Sequence, residues 1–187
     1  MSATLFLCVF VSIYWLLRGP ANFLWFSDIA LLAVVISLWT EKSLPASMLA
    51  VGVLLFEFGW NLDFLVRLIW GSHVFNLNAT AYMFTDALPF VIPVLSLFLH
   101  VLVPALLLYV LYKLGYDRRA WKAQTLLAWI ILPVSYFFTD PEKNINWVYG
   151  IGGQQTWVAE SVYLLIGMLL LPLLIYFPTH YILKRYF

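Results

Sequence analysis

Six apolar runs, broken by short polar or glycine-proline interruptions, pattern this chain. They fall at about residues 3–17, 21–39, 45–70, 88–112, 123–138 and 159–177. A helix rising ~1.5 Å per residue needs ~20 apolar residues to cross a bilayer. The pattern predicts an all-α integral membrane protein: a bundle of six transmembrane helices forming a single domain over residues 1–187. The first run is shorter than a full span and reads as a shallow or tilted helix. No basic region precedes it and no small-x-small site follows it, so it is expected to be a retained helix and not a signal peptide. Pro133 and Pro172 fall inside runs. Neighbouring helices are expected to satisfy the carbonyls these prolines free.

Composition sharpens this reading. The chain is 64% hydrophobic and 10% charged, against roughly 25% charged in soluble domains. Six spans put both termini and the second-to-third and fourth-to-fifth links on one side. That side carries Lys42, Lys113, Arg118, Arg119, Lys122, Lys184 and Arg185; the other carries Arg18, Arg67 and Lys143. The positive-inside rule then makes both termini cytoplasmic, and the long links at 71–87 and 139–158 face outward or into a lumen. A bacterial host would place such a chain in its inner membrane. Trp39, Trp70, Trp121, Trp147 and Trp157 sit near run ends, as interfacial anchors do. A net charge of +1 argues against nucleic acid. The lone Cys8 can form no intrachain disulfide. The sequon Asn78-Ala79-Thr80 reads as chance occurrence.

Candidate chemistry comes from polar residues where hydrocarbon is expected. Taking ~1.5 Å per residue, Ser27 and Asp28 stand about 9–10 Å inside the outer end of the second run. Glu57 and His100 come near mid-depth, and Asn61 lies one turn further out. Glu57 and Asn61 share a helix face, as do Ser96 and His100. Asp63 and Arg67 read as an ion pair near the outer interface. Each group has a plain structural alternative: a serine bonded to its own helix, or a carboxyl tying two helices together. Ionisable residues at this depth are nonetheless functional-site hypotheses by default. There is no HExxH, cysteine cluster, phosphate loop or GxSxG elbow. His73, His100 and His180 fall at three depths, so no metal or cofactor is expected. What remains is a nucleophile–histidine pair. Ser27 is the nucleophile, His100 the base, and Asp28 or Glu57 the group that orients it. Asn61 or Asn146 would donate to an oxyanion, and Trp25 and Trp147 would grip a lipid.

Three blocks together, Phe23-Leu24-Trp25-Phe26-Ser27-Asp28, His100-Val101-Leu102-Val103-Pro104 and Asn146-Trp147-Val148-Tyr149, resemble a known family. It is that of the androgen-induced and androgen-dependent integral membrane hydrolases, with its bacterial relatives of unknown role. The resemblance implies a multi-span protein cleaving fatty-acid esters of hydroxy fatty acids with an intramembrane Thr and His. His100 matches the family histidine. Trp25 stands where the hydrolases carry Thr, and Ser27 lies closer to the nucleophile of a related acyltransferase branch that uses Cys. The expected function is a membrane lipid-ester hydrolase or acyltransferase, with membrane lipids as partners and a lipid as substrate. Two other readings stay open. One is a transporter for a small solute or proton, with Asp28, Glu57 and His100 as a relay. The other is a non-catalytic membrane scaffold.

Overall fold

A computed structural model describes residues 2–72, 74, 79–85 and 88–187; His73 and Asn78 lie outside these. Among the described residues there is no strand, and six helical rods alternate in direction. They are α1 (Ser2–Arg18), α2 (Phe26–Thr40), α3 (Leu44–Trp70), α4 (Val91–Leu114), α5 (Ala120–Phe138) and α6 (Glu160–Tyr186). Three of them, α3, α4 and α6, are long and apolar enough to cross a membrane; α1 and α2 are apolar but shorter. Large apolar side chains such as Leu16, Leu68, Ile69, Phe138 and Leu173 point outward and stay exposed, the reverse of a water-soluble surface.

Side-chain bonds show which helix ends meet. Trp39 Nε1 donates to Thr4 Oγ1 at 2.9 Å, tying the end of α2 to the start of α1. Asp117 N–H donates to Ser47 Oγ at 3.0 Å, and Tyr116 Oη pairs with His180 Nδ1 at 2.7 Å. These ties gather both termini and the α2–α3 and α4–α5 links at one end, which also carries seven of the ten Lys and Arg residues. The other end carries the long links.

The core is the mutual packing of α2, α3 and α4, with α5 on the far side of α3. Leu31 and Val34 of α2, Leu49 and Val53 of α3, and Val103 and Leu107 of α4 are at most 2% exposed. They form a dry apolar floor in the basic half of the bundle. Gly52 lets the fully buried amide of Gln124 press against α3, where a Cβ would overlap it.

Two predicted boundaries are corrected. α2 starts at Phe26 and not at residue 21, because Pro20–Leu24 forms a separate 3-10 turn after Gly19, whose φ of 79° favours glycine. α6 runs well past Phe177, because Pro172 is absorbed into a π-turn at Leu171–Tyr176 and the polar tail Thr179–Arg185 stays helical.

Candidate functional site

The proline of the second block organises the site. Pro104 has no N–H, so the carbonyl four residues earlier, His100 O, loses its helical donor. Asn61 supplies a replacement: Nδ2 donates to His100 O across the helix interface and to Glu57 O on its own helix, both at 2.8 Å. This clamps α3 to α4 at one level. Glu57, one turn before Asn61, then meets His100, with Oε2 2.7 Å from Nδ1. Glu57 is 3% exposed. Trp60 stacks on the imidazole with ring centroids 4.1 Å apart and planes 18° apart. The ring is thus held at one nitrogen and on one face. With Glu57 ionised, Nδ1 donates to it and Nε2 keeps its lone pair. Nε2 makes no hydrogen bond among the described residues.

The third block positions the first. Asn146 Oδ1 accepts the Phe26 N–H at 3.1 Å, and its Nδ2 donates to Leu24 O at 2.8 Å and Ser135 Oγ at 3.3 Å. The start of α2 is therefore fastened to the link after α5. That link is bent to do it: Asn144, Asn146 and Trp147 all have positive φ, at 41°, 54° and 57°. Asparagine tolerates this region and tryptophan does so at a cost. Asn144 holds the bend by bonding Gly150 O and the Tyr149 N–H.

These elements enclose a cavity of about 330 Å³ lined by Trp25, Ser27, Asp28, Trp60, Ser96, His100, Trp147 and others. Ser27, Glu57 and His100 each stand about 20 Å along their helices from the basic ends. The shallower depth expected for Ser27 is corrected, because α2 is short and its first turn sits at the level of the Glu57–His100 pair. The cavity opens toward the long links and stops at the apolar floor.

The expected residues divide as follows. Ser27, Asp28, Trp25, Trp147 and His100 line one cavity, and Glu57 holds the histidine from behind. Ser27 Oγ makes no hydrogen bond among the described residues, either to His100 or to its own helix. Asp28, offered as an alternative orienter, instead accepts from Asn22 Nδ2 at 2.8 Å and makes no hydrogen bond to His100. Asn61 and Asn146, expected as oxyanion donors, are corrected to structural ties, because their amide hydrogens are already used in holding helices together. One free donor at this place is the Ser27 N–H in the first turn of α2, which has no acceptor among the described residues. Asp63 accepts from the Val74 N–H, the Thr80 N–H and the Thr80 hydroxyl, anchoring the 71–90 link.

Three contributors went unread in the sequence. Trp60 lies three residues after Glu57 and so shares its face, a spacing that could have revealed it. Asn22 is a lone amide in an apolar run. Tyr82, hydrogen-bonded to Ser96, sits in an aperiodic link. Burial pushes the Tyr82 phenol up to about 12, which keeps it a neutral donor. Among the described residues no group of three His, Cys, Asp or Glu could hold a metal. No family model matches the chain, nor does any curated protein or solved structure.

Proposed function

We propose that this chain is a six-span membrane enzyme with both termini cytoplasmic, and that it transfers the acyl group of a lipid ester to water or to a second hydroxyl. The observation that carries the reading is the Glu57–His100 pair, 2.7 Å apart, with His100 on the wall of a cavity that Ser27 also lines. A buried carboxyl–imidazole pair is a poor stabilising device, since apolar side chains of equal volume hold helices as well or better. A carboxylate that fixes one imidazole nitrogen and leaves the other facing a cavity is what general-base catalysis requires.

In this reading Ser27 Oγ attacks the ester carbonyl as His100 Nε2 takes its proton. Glu57 stabilises the imidazolium and Trp60 presents its ring face to the positive charge. The Ser27 N–H, at the positive end of α2, donates to the oxyanion. As the ester C–O bond breaks, Nε2 returns the proton to the leaving alkoxide, and acyl-Ser27 remains. Water, or an acceptor hydroxyl, then attacks the acyl carbon as Nε2 takes its proton, and Nε2 passes that proton to Ser27 Oγ as the acyl–Oγ bond breaks. In the resting structure the Ser27–His100 bond is not formed, so the seryl hydroxyl must close on the base when substrate fills the cavity. The apolar floor counts against a proton relay running through the bundle.

The test is labelling of the purified protein by a fluorophosphonate probe. The wild type is expected to label, with labelling lost in Ser27→Ala and in His100→Ala. Labelling that survives both changes removes the mechanism.

A further inference from the structure

Above the cavity, the rim carries a second arrangement of charge. Arg18 closes α1, and Asp140, Glu142 and Lys143 follow α5 on a short 3-10 turn. All four line a vestibule of about 490 Å³, within the range of small-molecule sites. Arg18, Glu142 and Lys143 also line the deeper cavity, together with Asn22 and Trp25, so the two spaces adjoin. None of the four charged groups takes part in an ion pair among the described residues. Among the described residues the Asp140 side chain accepts only the Glu142 N–H. Two cations and two carboxylates thus surround one hollow unpaired.

Their placement is informative. The chain keeps seven of its ten basic residues at the opposite end. Two of the remaining three stand at this rim, where the positive-inside rule disfavours them. A purely anionic group entering here would meet Asp140 and Glu142, and a purely cationic one would meet Arg18 and Lys143. A ligand carrying both signs satisfies all four. The planar guanidinium of Arg18 suits a phosphate, the carboxylates accept N–H from a primary ammonium, and Trp25 lines both spaces.

We infer that the vestibule binds a zwitterionic headgroup, a phosphate ester carrying an ammonium, on a phospholipid. The phosphate sits on Arg18 and Lys143, and the ammonium on Asp140 and Glu142. This deepens the lipid-ester reading and rests on it, since that reading supplies the lipid. In a glycerophospholipid the ester carbonyls lie a few bonds inward of the phosphate. A headgroup in the vestibule therefore directs an ester toward Ser27 and His100.

The test measures binding apart from turnover. Full-length protein in detergent is titrated with phosphatidylethanolamine or phosphatidylglycerol, and retained lipid is counted by native mass spectrometry. Phosphatidylethanolamine is expected to be retained about fivefold better, the scale of partly exposed charge pairs. The preference should vanish in Asp140→Asn/Glu142→Gln, retention of both lipids should fall in Arg18→Gln/Lys143→Gln, and the preference should persist in His100→Ala. Equal retention of the two lipids by the wild type, a preference untouched by Asp140→Asn/Glu142→Gln, or retention untouched by Arg18→Gln/Lys143→Gln overturns the inference. Soluble phosphoethanolamine binding as tightly as the lipid would also overturn it, by assigning the site to a free zwitterion. A headgroup preference in a protein that fails to label with fluorophosphonate upholds the vestibule and removes the hydrolase.

Discussion

At the residue scale, two carboxylates compete for one role, and their partners decide between them. Glu57 holds His100 Nδ1, whereas Asp28 is held by Asn22. Glu57→Gln should therefore slow fluorophosphonate labelling by about 10² or more, the worth of an oriented general base, while Asp28→Asn should label far faster than Glu57→Gln. The comparison is of pseudo-first-order labelling rates. A greater loss in Asp28→Asn would transfer the orienting role to that residue. Asn61 poses a different question. If its Nδ2 exists to fill the carbonyl freed by Pro104, Asn61→Leu should cost about 1–3 kcal/mol by leaving His100 O unsatisfied. Pro104→Ala restores the helical N–H, so it should recover much of that loss in the double variant. Denaturant unfolding in micelles reads the cycle. Strictly additive losses would mean that the two residues do not share the carbonyl.

At the element scale, the same device recurs. Pro172 frees Met168 O, and Trp129 Nε1 of α5 donates to it at 2.9 Å. Proline in a membrane helix is thus matched by a donor on the next helix. The general expectation was legible in the sequence, but the identity of each donor was not, because it depends on packing between distant segments. The rods themselves were legible wherever hydropathy was continuous: the run at 45–70 became Leu44–Trp70. Hydropathy failed where α-helicity and apolarity part company, at the polar but helical tail of α6 and at Pro20–Leu24, an apolar 3-10 turn outside α2. That second failure misplaced Ser27, since depth was counted from the wrong end. The start of α2 depends on Asn146, which makes two hydrogen bonds there and a third to Ser135 of α5. Asn146→Ala should destabilise the protein by about 2–3 kcal/mol, combining a lost helix cap with lost buried bonds. Hydrogen exchange should rise over residues 20–28 and stay low in α3. Uniform acceleration across α2 and α3 would show that the clamp supports the whole core and not the site locally.

At the scale of the whole molecule, two asymmetries coincide. The basic end is closed by an apolar floor, and the opposite end opens through a cavity and vestibule. The resemblance blocks at 23–28, 100–104 and 146–149 come from three distant parts of the chain, and they meet on the open side through Asn146 and the shared cavity. Order along the chain hinted at this, but the meeting needed the alternating up-and-down path that the end-to-end hydrogen bonds reveal. If all six rods cross the bilayer, charge bias sets the basic end in the cytoplasm and the vestibule on the outer face. Cys8 is the only cysteine, so replacing it with serine gives a background for single-cysteine mapping. Thr156→Cys lies in the link beyond α5, at the open end; Arg118→Cys lies in the α4–α5 link and leaves six of the seven basic residues there. A membrane-impermeant maleimide applied to intact cells should label Thr156→Cys at once and Arg118→Cys only after permeabilisation. The reverse order would turn the molecule over and put the site within reach of cytoplasmic substrates. Labelling of both from outside would mean an odd number of crossings between residues 118 and 156 is wrong, leaving α5 packed within the bundle without spanning it.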